Sequence, residues 1–232
     1  VFAVTQGGIK GPVIVENVDQ ASLQVERKAI HAADGRPSIK MLSAGRPLPN
    51  VKVRILDESG NTISDRSVGE IAILSNCMLS AYYNRPDLTR RAFKDGWYLT
   101  GDLGYKAQDE VFITGRKKDL IIVGGKNVYP QDIEQLAMQV PGVHQGRVVA
   151  FGIFNEEMGT EEVELIAEVD VQDPIELEII SDQIRQAVTR GSAVALRQVL
   201  LVKKKWLIKT SSGKVARSAN KEKFLKEHQS IL

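Results

Sequence analysis

The chain opens with two-residue alternation and later switches to helical spacing. Val51-Lys52-Val53-Arg54-Ile55 alternates apolar and polar residues, the period of a strand with one buried face. The turn formers Asp57-Glu58-Ser59-Gly60-Asn61 follow it. Glu70-Ile71-Ala72-Ile73-Leu74 predicts a second strand, and Val111-Phe112-Ile113 and Leu120-Ile121-Ile122-Val123 predict two shorter ones. A short helix is predicted from Asp19 through Leu23 to Ala29. Another is predicted from Asn84 to Phe93, with Pro86 in its first turn, where a missing amide hydrogen costs little. Between the two short strands, Thr114-Gly115-Arg116-Lys117-Lys118-Asp119 joins a glycine to four consecutive charges and reads as an exposed connector.

Beyond that connector helices and strands alternate. Pro130 to Met138 predicts a helix with proline at its first position and acids near its start, ended by Pro141-Gly142. Val148–Phe151 and Val163–Val169 predict strands. Ile175 to Arg190 places Ile180, Ile184, Ala187 and Val188 on one helical face. Val199–Val202 predicts a third strand, and Ser218 to His228 a last helix. The fold class is therefore α/β (α+β) in two parts: 1–116, mostly strand, and 117–232, a small α/β domain.

Composition narrows the function. The 232 residues carry 31 basic and 29 acidic side chains, so no basic stripe supports nucleic-acid binding, and Lys203-Lys204-Lys205 reads as a solvated strand or loop end. One cysteine, Cys77, excludes an internal disulfide and a multi-cysteine zinc site and fits a reducing compartment, so a cytoplasmic protein is expected. His31, His144 and His228 are scattered without metal-ligand spacing, and no metal site is expected. No apolar run approaches the roughly 20 residues that span a bilayer. Val1-Phe2-Ala3-Val4 has neither an initiator Met nor the charged start of a signal peptide, and the chain reads as beginning mid-sequence.

Three charged residues sit in or beside glycine-punctuated stretches that read as turns. Asp102, in Trp97-Tyr98-Leu99-Thr100-Gly101-Asp102-Leu103-Gly104, could accept hydrogen bonds from the two vicinal hydroxyls of a ribose, or merely cap a turn. Arg116 offers a planar fork for phosphate or ribose oxygens, or is a surface arginine. Lys214 closes Thr210-Ser211-Ser212-Gly213-Lys214, a mobile loop that could offset charge building on phosphorus, or is a solvated lysine. That loop is not a Walker A motif, because Ile208 stands where the first glycine is required. Gly124-Gly125-Lys126-Asn127 forms a tight turn that a ligand could approach closely. Taken singly, the plain structural role is the better reading of each.

Their order and spacing change the weighing, because together they resemble the adenylate-forming superfamily of acyl-CoA synthetases, luciferases, nonribosomal adenylation domains and fatty acyl-AMP ligases. The resemblance rests on Gly69-Glu70-Ile71, on Tyr82 to Thr89 followed by Phe93, on Tyr98 to Leu103, on Gly115 to Asp119, and on Ile208 to Lys214. Ala81 replaces a usual glycine, and Ile208 replaces a usual proline, which is expected to loosen the loop. Lys118 to Glu134 is most similar to fatty acyl-AMP ligases, and Val1 to Ala44, ahead of Gly45-Arg46-Pro47-Leu48-Pro49, resembles their insertion.

The resemblance implies that a carboxylic acid, such as a fatty acid, is joined to ATP as an acyl-adenylate. The acyl group then passes to the pantetheine thiol of an acyl carrier protein or, alternatively, of coenzyme A. By matching position, Asp102 holds the ribose, Arg116 contacts ribose or phosphate, and Ile113 packs on the nucleoside. Lys214 bridges carboxylate and α-phosphate, Lys118 is a hinge, and Gly124 and Gly125 face the pantetheine. The resemblance also implies that the phosphate loop, the Mg2+ site and most of the acyl pocket belong upstream of Val1, which makes the fragment inactive by itself. A non-catalytic ligand- or partner-binding module is the alternative from a different class.

Overall fold

The computed structural model describes residues 3–8 and 11–227. Val1-Phe2 and His228, at which the last helix is expected to end, lie outside the described residues. The chain is mixed α/β and divides into two compact units, Val1–Lys118 and Asp119–Leu232.

The first unit runs β1 (Thr5–Gln6), β2 (Val15–Asp19), β3 (Ser38–Leu42), β4 (Arg46–Pro47), β5 (Val51–Leu56), β6 (Gly69–Ser75), α1 (Pro86–Ala92), β7 (Phe93–Lys94), β8 (Trp97–Ala107) and β9 (Glu110–Arg116). Strand β1 pairs with β4 and β2 with β3, while β5-β6-β8-β7 forms an antiparallel sheet that β9 joins along β8. Ile55, Ile71, Ile73 and Val111 are buried together, with Val53, Ile63 and Tyr98 packed against them. Tyr105 on β8 stacks on Phe112 of β9, with ring centroids 4.8 Å apart.

Two expectations are corrected here. The helix predicted over Asp19–Ala29 is present but shorter, covering residues 20–26 with Ser22–Glu26 as a π-helical turn, because Asp19 still belongs to strand β2. Val18 and Asp19 pair with Ile39 and Ser38, and Arg27 turns the backbone into the left-handed region at φ 53°, which bounds the helix at both ends. The exposed connector is also shorter than predicted. Ladder pairing of Asp102 with Arg116 extends β9 through Thr114-Gly115-Arg116 and leaves only the 3-10 turn Lys117–Asp119.

The second unit runs β10 (Ile121–Val123), β11 (Lys126–Val128), α2 (Pro130–Ala137), β12 (Val143–Asn155), β13 (Thr160–Val169), α3 (Pro174–Ser192), β14 (Leu196–Lys203) and α4 (Arg217–Glu227). Its three-stranded sheet is ordered β12-β13-β14, antiparallel in the first pair and parallel in the second. Helix α3 is the crossover between the parallel strands. Asp173 caps it, accepting the amides of Ile175 and Glu176 at 3.1 Å each, and Pro174 opens it. Its stripe Ile180, Ile184 and Val188 is buried.

The two sheet faces carry different covers. Val148, Ala150, Val163, Leu165 and Ala167 pack on one side with α2, α3 and the β10–β11 hairpin residues Ile121 and Val128. Val149, Phe151 and Ile166 pack on the other with Leu207 and Phe224 of α4. The alternation along β12 and β13 thus separates the hairpin from the segment that carries Lys214.

An acid in the first turn of a helix ordinarily favours its charged form. At Asp132 in α2, burial foremost and then the Glu134 carboxylate oppose this and push its pKa up to about 7. The folded chain then holds a proton more tightly than the unfolded chain between about pH 4 and 7, so stability falls as pH rises through that window. Asp132→Asn is expected to raise the urea midpoint at pH 8 and leave it unchanged at pH 4. A shift of equal size at both pH values would refute this account.

Candidate functional site

In the first unit a strand irregularity brings the predicted nucleotide residues together. Opposite β6, strand β8 is out of register: Glu70 pairs with Leu103 but Ala72 pairs with Leu99, so Thr100-Gly101-Asp102 bulges past Ile71. Gly101 is at φ +73°, a conformation that other residues rarely adopt. The displaced backbone groups find side-chain partners. The Thr100 hydroxyl donates to the Ile71 carbonyl at 2.7 Å and accepts the Asp102 amide at 3.1 Å. The Glu70 carboxylate accepts the Gly101 amide at 3.2 Å and the Lys117 ammonium at 2.8 Å. Asp102 is therefore on a bulged strand held by Thr100 and Glu70, a correction of the turn expected for it.

A second bulge acts on β9. Leu103 pairs with Gly115 and Gly104 with Ile113, which leaves the buried Thr114 as the extra residue. Ile113 and Arg116 are an odd number of residues apart and would face opposite sides of a regular strand. The bulge puts both on the face of Asp102, which pairs with Arg116 across the ladder. The Asp102 carboxylate accepts the Arg116 Nε–H at 3.1 Å, with the two side chains 32% and 60% exposed. Ile113 is 50% exposed, an apolar side chain left in solvent beside an ion pair. A carboxylate, a guanidinium fork and an apolar floor on one face suit a diol, a phosphate and a flat base.

In the second unit, Gly124 and Gly125, at φ +54° and +79°, make the two-residue turn between β10 and β11, the combination a tight hairpin demands. The Thr160 hydroxyl accepts the Gly124 amide at 2.8 Å, and Glu161 accepts the Ile122 amide. Lys214 lies on a closed turn. Thr210 donates its amide to the Lys214 carbonyl at 2.8 Å, its hydroxyl accepts the Lys214 amide at 3.2 Å, and Lys209 bridges to Val215. The Lys214 ammonium is exposed and makes no hydrogen bond or ion pair among the described residues. Ile208, the residue expected to loosen the loop, has its own backbone anchored. Asn220 accepts the Ile208 amide and donates to its carbonyl, both at 2.9 Å, and Glu168 accepts the Leu207 amide at 2.8 Å. Lys118 lies in the turn Lys117–Asp119.

The supporting residues Thr100, Glu70, Thr114 and Asn220 escaped the sequence reading, although Thr100 and Glu70 lie inside motifs it quoted. Asn220 and Arg217 follow the last motif within a turn or two. Among the described residues no group of three or more His, Cys, Asp or Glu side chains is placed to hold a metal ion, and no helix is long and apolar enough to cross a membrane.

No family model matches the chain. Medium/long-chain-fatty-acid–CoA ligase FadD8 of Mycobacterium tuberculosis is 34% identical over 190 residues, 80% of this chain and 33% of that protein. Acyl-CoA ligase clz12 of Cochliobolus lunatus is 32% identical over 190 residues, 82% of this chain and 53% of that protein. A solved structure from the fatty acyl-adenylate ligases of E. coli and L. pneumophila matches with a TM-score of 0.88 and 30% identity, over 99% of this chain and 41% of its own. The chain belongs to the adenylate-forming superfamily. It spans about a third to a half of the length of these adenylate-forming relatives. McyG A-PCP complexed with phenylalanyl-adenylate is another solved relative, at 31% identity and a TM-score of 0.74 over 80% of this chain and 34% of its own.

Proposed function

We propose that the chain is the nucleotide-facing and hinge-bearing part of an ATP-dependent fatty acyl-AMP ligase. The observation that carries this reading is the double bulge that sets Asp102, Arg116 and Ile113 on one face. In the proposed reaction a carboxylate oxygen attacks the α-phosphorus of ATP, the bond to the β-phosphate oxygen breaks, and pyrophosphate leaves. Asp102 accepts the ribose hydroxyls, Arg116 contacts ribose or phosphate, and Ile113 packs on the nucleoside. Lys214 spans carboxylate and α-phosphate, where a cation lowers the barrier as charge develops. Mg2+ accompanies the nucleotide phosphates and is held outside these residues.

The thiol of a pantetheine arm then attacks the acyl carbon and AMP leaves. Residues 1–116 are the end of a large adenylation domain and 117–232 a small mobile one, turning about Lys118. The separation of Lys214 and the Gly124-Gly125 hairpin onto opposite sheet faces supports this division of labour, since turning the unit exchanges one face for the other.

A carrier protein is the proposed acceptor. The similarity of Lys118–Glu134 to fatty acyl-AMP ligases and the stretch Val1–Ala44 support it, as does the name of the structural relative with TM-score 0.88. Coenzyme A is the second reading, favoured by the names of the ligases FadD8 and clz12. The test supplies the full-length protein with ATP, magnesium and a fatty-acid panel, and offers coenzyme A beside phosphopantetheinylated carrier. Acyl transfer to carrier alone is the expected result. Efficient acyl-CoA release moves the protein to the synthetase branch, and failure to release pyrophosphate with every acid of the panel rejects the enzyme reading.

A further inference from the structure

At the edge strand β12, the outward backbone groups of Ala150 are taken by two side chains instead of a neighbouring strand. The Glu134 carboxylate of α2 accepts the Ala150 amide at 2.9 Å, and Arg217 Nε–H donates to the Ala150 carbonyl at 2.9 Å. The same guanidinium donates to Glu134 Oε1 and to Asp119 Oδ2, at 2.7 Å each. All three side chains are at most 20% exposed, so these charge-assisted bonds are shielded from water. Arg217 is the first residue of α4, which packs on one sheet face, while Glu134 belongs to α2 on the other. Asp119 is the first residue of the second unit, immediately after Lys118. Arg217 also follows Lys214 by three residues in the sequence.

We infer that Arg217 is a positioning residue that fixes the Lys214 turn to the hinge end of its unit, so that rotation at Lys118 delivers the ammonium to one place. This rests on the adenylation role proposed for Lys214. A lysine on a long flexible stem gains catalytic effect only if its base is fixed, since displacement by about 1 Å can cost on the order of a hundredfold in rate. Asn220 fixes the entry to the turn at Ile208, and Arg217 fixes the exit. The Gly124-Gly125 hairpin is tied separately, through Thr160 and Glu161. Loss of the Arg217 strut should therefore spare thiol transfer while it impairs adenylation.

The experiment uses the full-length enzyme as Arg217→Ala, Arg217→Lys and Asp119→Asn, beside Lys214→Ala. Adenylation is read by ATP–pyrophosphate exchange and thiol transfer from chemically synthesised acyl-adenylate. The expected result for Arg217→Ala is a fall of about 10- to 100-fold in the kcat of exchange, KM for ATP within about twofold, and transfer within about threefold of wild type. Asp119→Asn keeps the side-chain shape and is expected to show a smaller loss of the same kind. Arg217→Lys restores little, because one ammonium cannot reach Asp119, Glu134 and Ala150 together. Equal loss in both half-reactions, or none in either, overturns the inference. Full exchange activity in Lys214→Ala overturns the role of Lys214 itself and is thereby told apart.

Discussion

Lys214→Ala in the full-length enzyme is expected to slow acyl-adenylate formation by about 10²- to 10³-fold, the scale of losing one preorganised charge partner of a transition state. The ammonium is exposed, and its charge is not committed to any carboxylate among the described residues. It can therefore meet an incoming anion without breaking an internal ion pair. Its removal should cost little stability, since the turn is closed by Thr210 through the backbone of Lys214, which alanine retains. The loss should fall on kcat and leave KM for ATP nearly unchanged, because the residues proposed to face the nucleotide lie in the other unit. Lys214→Arg should not rescue it, since a planar fork replaces a compact charge. Pyrophosphate exchange and a thermal melt of the same samples check the prediction. Wild-type exchange at wild-type melting temperature would remove Lys214 from the chemistry.

The sequence revealed most where local rules are strong. Strand β5 alternates over Val51–Ile55 because one face is buried, and α3 carries its apolar stripe in plain view. The motifs located Asp102, Arg116 and Lys214 but not the means that set them. The bulge at Thr100–Asp102 is a register difference between β8 and β6, and no single strand encodes the register of its neighbour. Thr114 looked like the start of a connector because its burial depends on the pairing of Gly104 with Ile113. The helix predicted at Asp19–Ala29 lost only its ends, Asp19 to pairing with β3 some twenty residues away and its last residues to the left-handed turn at Arg27. Ile208 read as a loosening substitution, yet unlike proline it has an amide to donate, and Asn220 accepts it.

Asp102→Ala tests whether the ladder face holds a ribose. A hydrogen bond to a charged group contributes about 1.5–3 kcal/mol, so wild-type enzyme should prefer ATP over 2′-deoxy-ATP and over 3′-deoxy-ATP by roughly 10- to 100-fold each in kcat/KM. In Asp102→Ala the kcat/KM for ATP should fall by about 10²- to 10³-fold, and both deoxynucleotides should become nearly as good as ATP. The loss of preference is the decisive reading, because a general disturbance of the site would slow all three nucleotides alike. Stability should change little, since the Asp102–Arg116 pair is largely solvated and such pairs contribute at most about 1 kcal/mol. Thr100→Val separates holding the carboxylate from the carboxylate itself. It removes the hydroxyl that links Ile71 to the Asp102 amide, so Asp102 remains but its backbone is released. A partial loss of ribose preference is expected there. If Asp102→Ala keeps the wild-type preference for ATP, the diol is recognised elsewhere, and the ion pair with Arg116 is a surface contact of the strand.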